Sequence, residues 1–558
     1  MKYIYIICSL FLILSGCKPS KITINSKKPK DSKETWYTKD YKIDTVPGIS
    51  LDKWYIQNKK KPKNTVIVAV IDTQIDKNHE DLKEKIWTNT KEIPDNNLDD
   101  DHNGYVDDTQ GWNFAAKKDS YVVWGNFEYI RLIREFKNKF ENKTENSISK
   151  SDLSDYKEYF RAKKKLEEEL SYYQNRLKSL EYSTKIFPVA KDSLKHYFPK
   201  EDYTFEQLDS LYKIYKINDK TFRQRRENDD RDLGAMIGFL MFRLESYETT
   251  LSEVIESKIQ TDSIVNKNLN INFDERKFIG DNPNILDKGY GSKYISISKA
   301  GHRSFQDHNT KVSGIIAADR NNNLGIKGIA ENVKIMPLTI SYSGDEHDKD
   351  IAMAIYYAVD NGAKVINMSF IKEFSLRQKW VTEAFKYAEK HNVLLVHIAG
   401  NDASDVDKNP AYPSDVNFDG TPEICHNFIN VGSTTNKLNE NFVSVFSNYG
   451  KYNVDLFAPG NEIYTTAAGN TYKFDSGTSL AAPMVSGTAA LMWSYYPKLT
   501  AAEVKQIILD SGTAYDIEVI VPGTEDKKLP FSQLSKSGKV LNVYNAMKLA
   551  EKISKNKK

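Results

Sequence analysis

The feature that most constrains the fold is a set of short, β-branched apolar runs separated by helical patterns. Thr65–Thr73, Val333–Ile340, Val365–Phe370, Val393–Ile398 and Phe428–Ser433 are each long enough for one strand. Between them, Asp350–Asp360 and Trp380–Lys390 carry apolar residues at helical spacing. The runs are continuous rather than alternating, which is the pattern of strands covered on both faces. The expectation is an α/β fold with a parallel sheet and helices on both sides.

Two of these elements end in chemically useful residues. The strand Val66–Ile71 delivers Asp72 at its carboxyl end, and His308 opens the helical pattern His308-Asn309-Thr310-Lys311-Val312-Ser313-Gly314. Ser479 follows a Gly-Thr turn and precedes a run of small residues, Leu480-Ala481-Ala482-Pro483. A serine in that place serves as a helix N-cap, or as a nucleophile where backbone N–H groups stabilise negative charge. As a nucleophile it needs a base and an orienting carboxylate.

Asp72-Thr73-Gln74, His308 to Gly314 and Gly477-Thr478-Ser479-Leu480-Ala481-Ala482-Pro483 together resemble the three signatures of the subtilisin-like serine peptidases, in the family's chain order. The resemblance covers roughly residues 50–114 and 285–547. It implies a subtilisin-like parallel sheet and a serine endopeptidase that cuts peptide or protein substrates through an acyl-enzyme. Ser479 would be the nucleophile, His308 the general base and Asp72 the orienting acid. Asn401, in Ala399-Gly400-Asn401, would donate to the oxyanion. Ser369, Phe370 and Ile371 would pair with extended substrate and wall the first specificity pocket.

Three glycines of the family pattern are replaced, by Gln74, Asn309 and Ile371, and Lys311 stands where the His signature has a second histidine. Asn tolerates positive φ better than most residues, which makes Asn309 the mildest change. A β-branched Ile371 is expected to narrow the pocket. Two readings follow: an endopeptidase of restricted specificity, or a catalytically weak homologue that binds peptide or protein.

Asp99-Asp100-Asp101-His102-Asn103-Gly104-Tyr105-Val106-Asp107-Asp108 places oxygen ligands at alternate positions with a glycine sixth, like the first half of an EF-hand loop. Asp99, Asp101, Asn103 and the Tyr105 carbonyl, completed by Asp107 or Asp108, are the candidate ligands of a structural calcium ion. An acidic solvated loop is the alternative.

The amino terminus reads as a targeting segment. Lys2 precedes an apolar stretch, Ile4–Leu14, and Leu14-Ser15-Gly16-Cys17 resembles a bacterial lipoprotein processing box. The expected product is lipidated at Cys17, exported, and anchored to a bacterial membrane on its periplasmic or cell-surface side. Residues 1–16 would be the signal peptide and 17–34 a tether. Cys8 would leave with the signal, so Cys425 is expected as a lone core thiol. A net charge of +3 over 558 residues gives no reason to expect a nucleic-acid partner.

The stretch between Asp72 and His308 is far longer than the family's compact members need. Within 120–265, Tyr159, Leu166, Leu170, Tyr173, Leu177 and Leu180 form one helical stripe, and Leu233, Ile237, Leu240, Leu244, Tyr247, Leu251 and Val254 a second. A shorter helix is expected over Phe205–Tyr215. This α-helical insertion would interrupt a peptidase domain spanning 35–547, followed by a basic tail, 548–558.

Overall fold

The computed structural model describes residues 33–118, 120–297, 307–416 and 423–557. Cys17, the 1–16 signal segment and the tether as far as residue 32 lie outside the described residues. The chain divides into two compact units, one holding the segments up to Val123 and from Glu275 onward, the other Trp124–Asp274.

The first unit is organised by a nine-stranded sheet among the described residues. Its centre runs, in spatial order, Leu456–Pro459, Phe428–Thr434, Leu394–Ile398, Val365–Met368, Val66–Asp72 and Val333–Thr339. These neighbours are parallel, with Asp72 opposite Thr339 and Met368 opposite His397. Only the edge pair Thr513–Ala514 and Lys539–Val540 is antiparallel. The continuous apolar runs have their explanation here. Val66, Val68 and Val70 face one core with helices His308–Ala317 and Thr478–Tyr495. Ala69 and Ile71 face the other, with helices Asp348–Asp360 and Gln378–Lys390. Successive side chains of one strand are therefore buried on opposite faces.

The expected strands and helices occur within one or two residues of their sequence limits. The chain before the first strand does more than lead in: Trp36, Tyr37, Ile49, Leu51 and Trp54 are all buried in the first core. The expected basic tail from 548 onward is corrected. Residues 543–555 form one helix whose Val543, Ala546, Met547 and Ala550 are buried. The lysines occupy its outer face, so composition masked the apolar stripe.

The second unit is helical and runs from Trp124 to Asp274, starting and ending later than the expected 120–265. Its longest helix, Leu153–Leu194, has 42 residues. Phe205–Tyr215 is a helix at the expected limits, closed by a Thr204–Gln207 capping box. Leu180, Phe187, Leu194, Leu208, Ile237, Leu240 and Val254 form its core. The second stripe is corrected: it is two helices, Leu233–Leu244 and Leu251–Ser263. Thr250 caps the second with Glu253, and Tyr247, in the break, is 85% exposed. A strong N-cap ends helix propagation from the other side even though the apolar period continues through it.

Candidate active site

The three signature segments converge at the carboxyl edge of the sheet. Asp72 is the last residue of its strand and is buried, with Oδ1 accepting the Thr73 N–H at 2.6 Å. Its backbone carbonyl accepts from the N–H groups of Ile340 and Ser341, which fixes the strand end. Both carboxylate oxygens lie 2.8 Å from Nδ1 of His308. An imidazole held so carries its proton on Nδ1 when neutral, leaving Nε2 as an acceptor. Burial pulls the His308 pKa down, but the charge and hydrogen bond of Asp72 outweigh it, and the imidazole is held above its ordinary range.

Ser479 sits in the first turn of the helix Thr478–Tyr495, the central helix of the unit, where backbone N–H groups have no partner within the helix. Unlike its neighbours in that helix it is only half-buried, as are His308 and Asn401. Its Oγ donates to the Ser369 carbonyl at 3.3 Å, and Ser369 Oγ donates back to the Ser479 carbonyl at 3.1 Å. Asn367 extends this link: its Nδ2 donates to Ser369 Oγ and its Oδ1 accepts from Ser486, both at 2.8 Å.

Asn401 Oδ1 accepts from both the N–H and the Oγ of Thr478 at 2.9 Å. With the oxygen so engaged, Nδ2 is the group left to donate. The loop is pinned from behind by Asn448, which donates to the Ala399 carbonyl and accepts from Asp402 and Ser404 N–H, each at 2.9 Å. The structure therefore pairs Asp72 with His308 and sets Asn401 against Thr478, the residue before Ser479. Asn367, Thr478 and Asn448 carry no signal in the sequence as supports of this site, because Ser486, Asn401 and Ala399, which they bond, lie remote along the chain.

Ser369, Phe370 and Ile371 continue beyond the strand Val365–Met368. Phe370 turns its carbonyl inward to His397 Nε2 at 2.8 Å, and burial pushes the His397 pKa down to about 4. A neutral His397 is thus a permanent donor to that carbonyl. Ile371 is half-buried, packs on the first core, and its Cδ1 lies 3.0 Å from where a Cβ on Gly400 would be. Gly400 has φ +106°, so the close approach and the backbone both require glycine.

The other two replaced glycines are structural. Asn309 is fully buried; its N–H donates to Thr73 Oγ1 at 3.1 Å and its Nδ2 to the Thr73 carbonyl at 3.0 Å. Gln74 is buried, with Nε2 donating to the Ser296 carbonyl at 3.1 Å.

In the acidic loop, the carboxylate oxygens of Asp99, Asp101 and Glu92 lie within 4.8 Å of one another. Glu92 lies before the motif and has no place in its spacing. It is buried, its Oε1 accepts from the Asp100 and Asp101 N–H groups, and its Oε2 is buried without a hydrogen-bond partner. Asn103 Oδ1 accepts from Tyr105 N–H and its Nδ2 donates to Asp108. Asp107 is turned elsewhere, toward the N–H groups of Asn96 and Asn97 and the ammonium of Lys293 at 2.9 Å. Cys425 is buried in the second core, where burial raises its thiol pKa to about 12 and leaves it protonated. No helix among the described residues is long and apolar enough to cross a membrane.

Known proteins resemble this chain over part of its length. A thermophilic serine proteinase of Bacillus sp. (strain AK1) is 38% identical over 189 residues, which are 34% of this chain and 43% of that one. Subtilisin DY of Bacillus licheniformis is 31% identical over 243 residues, 41% of this chain and 82% of that one. Subtilisin-like protease 1 of Plasmodium falciparum is 32% identical over 260 residues, 44% of this chain and 37% of that one. The chain thus spans less than half the length of several of the curated relatives it matches. Residues 63–533 match the subtilase family as a whole, and the chain belongs to that family.

Proposed function

We propose that the protein is a serine endopeptidase that hydrolyses peptide bonds through Asp72, His308 and Ser479. The observation that carries this reading is His308 Nδ1 held by both oxygens of Asp72, on a helix packed against the one whose first turn holds the half-buried Ser479. In the reaction, Ser479 Oγ attacks the carbonyl carbon while His308 Nε2 takes its proton. The carbonyl π pair moves onto oxygen, where Asn401 Nδ2 and the Ser479 N–H donate to it. Collapse breaks the C–N bond, and the imidazolium protonates the departing amine. Water, deprotonated by the same nitrogen, then releases the acyl group and regenerates Ser479. The relatives' names, serine proteinase and subtilisin, support the same reaction class.

The test is a fluorophosphonate label. Wild type is expected to label, and Ser479→Ala, folded by circular dichroism, is not. A folded wild type that stays unlabelled would point instead to a peptide-binding homologue, the reading favoured by the rest position of Ser479 on Ser369.

The proposal includes a structural calcium ion and a lipid anchor. The all-oxygen set of Glu92, Asp99 and Asp101, with the Tyr105 carbonyl, fits a hard cation, and the unpartnered Oε2 of Glu92 is an atom such an ion would satisfy. The lipoprotein-like Leu14-Ser15-Gly16-Cys17 supports attachment at Cys17 and export to a membrane surface. Incorporation of an alkynyl fatty acid by wild type, lost in Cys17→Ser, checks the anchor.

A further inference from the structure

We propose that Lys311 is a positioning residue: paired with Asp307 on one side and Asp475 on the other, it sets the helix carrying His308 against the strand leading to Ser479. The inference rests on the peptidase reading above. Lys311 stands one turn after His308, and its side chain is 1% exposed. Its Nζ lies 3.0 Å from Asp307 Oδ1 and 2.7 Å from Asp475 Oδ2. Lys473 closes the group on Asp307 Oδ2 at 2.8 Å. Asp307 directly precedes the base. Asp475 ends the strand Thr471–Asp475, whose chain continues through Ser476 and Gly477 to the nucleophile helix. One buried ammonium thus bridges the residue before His308 and the approach to Ser479.

Neutral bonds fasten the same contact. Thr465 Oγ1 donates to the Lys311 carbonyl at 2.8 Å and Thr466 Oγ1 to the Thr310 carbonyl at 2.6 Å. Both threonines lie on Ile463–Ala467, the partner strand of Thr471–Asp475. The threonines would hold the hairpin to the helix without any charge, so the ionic bridge is not needed merely to keep the two together. What the bridge adds is direction: a carboxylate on each side fixes where the ammonium sits, and a buried charge that loses one partner is strongly unfavourable. Two cations and two carboxylates balance. Each perturbs its neighbour in the expected sense: Lys311 and Lys473 hold Asp307 below the usual carboxylate range, against its burial.

The charged groups facing His308 are Asp72 from its strand, Asp307 and Lys311 from its own helix, and Asp475 and Lys473 from the hairpin. Of these, Lys311 disfavours the imidazolium and Asp475 favours it. Removing Lys311 and removing Asp475 therefore have opposite signatures on the base, which loss of packing alone does not produce.

The experiment measures the rate of fluorophosphonate labelling against pH for wild type, Lys311→Met, Lys311→Arg and Asp475→Asn. Lys311→Met is expected to slow labelling about tenfold to a hundredfold, as small misplacements of reacting groups do, and to move the acid limb to higher pH. Asp475→Asn is expected to move the limb to lower pH, and Lys311→Arg to recover most of the rate. A folded Lys311→Met with wild-type rate and limb overturns the proposal. If that variant does not fold, Asp475→Asn decides: an unmoved limb there overturns it equally. Wild type that labels with unmoved limbs in the variants sinks this inference alone, whereas wild type that never labels removes the peptidase reading and this one with it.

Discussion

Asn309 grips Thr73 at both ends: its backbone N–H donates to Thr73 Oγ1 and its side-chain Nδ2 to the Thr73 carbonyl. Asn309, which follows His308, is thereby locked to Thr73, which follows Asp72. A glycine at 309 could make the first bond and not the second. Asn309 Oδ1 also accepts from Ser313 at 2.7 Å, so the whole carboxamide is used. Asn309→Ala removes the bond to the Thr73 carbonyl and leaves the buried Ser313 hydroxyl without its acceptor, and is expected to cost about 1–3 kcal/mol. Urea unfolding reads this directly, and an unchanged midpoint would contradict the locking role.

A second prediction separates the two ends of Asn401. Its Oδ1 anchors Thr478, and its Nδ2 is the donor proposed for the oxyanion. Asn401→Asp retains the acceptor and deletes the donor. It is expected to lower kcat about 10²–10³-fold, the range for losing one oxyanion donor, with little change in thermal stability. A fall in stability with an intact kcat would reverse the assignment.

The pH dependence follows from His308. On the proposed reading His308 works as a neutral base, and its pKa is raised above the ordinary value of about 6.5 because Asp72 outweighs burial. Activity is expected to rise with pH through a midpoint above that value. Stability runs the other way. A raised folded-state pKa contributes stability that is fully present below the unfolded value and is lost as pH rises through the folded one. Asp72→Asn removes the cause and is expected to lower kcat by about 10⁴ while moving the acid limb down. Activity flat from pH 5 to 9 would falsify the assignment of His308 as the base.

The parallel sheet was legible because burial on both faces leaves unbroken β-branched runs, as at Val66–Ile71 and Leu394–Ile398. Asp72, His308, Ser479 and Asn401 could be named as candidates because each lies in a short segment whose neighbours are characteristic. What escaped notice depended on contacts across the chain or on competing local signals. The break at Tyr247 is hidden by an apolar period that continues across it. Glu92 joins Asp99 and Asp101 only because the loop folds back, and its spacing matches no motif. Lys311 finds Asp475 at a separation of 164 residues, where no local pattern signals a pair.

The carboxyl-terminal helix gives a test of packing against composition. Removing residues 548–558 takes away buried Ala550 and the Lys60–Glu551 ion pair and leaves little more than one turn of helix after Asn542. So short a helix is not stable by itself. The truncated chain is expected to melt at a lower temperature than the full chain, whereas a disordered tail could be removed without effect.

The acidic loop separates Glu92 from Asp107. If calcium binds at Glu92, Asp99 and Asp101, saturating calcium raises the melting temperature, and a hundredfold excess over Kd contributes about 2.7 kcal/mol. Glu92→Gln keeps the size of the side chain and removes the charge whose Oε2 lacks a partner. It is expected to abolish the calcium-dependent increment. Asp107 is engaged by Lys293 and two backbone N–H groups, which hold its carboxyl below the usual range against burial. Asp107→Asn is therefore expected to lower stability equally with and without calcium, leaving the increment intact. Titration calorimetry on the two variants checks both halves. Loss of calcium binding in Asp107→Asn but not in Glu92→Gln would return the site to the ligand order expected from the loop's spacing alone.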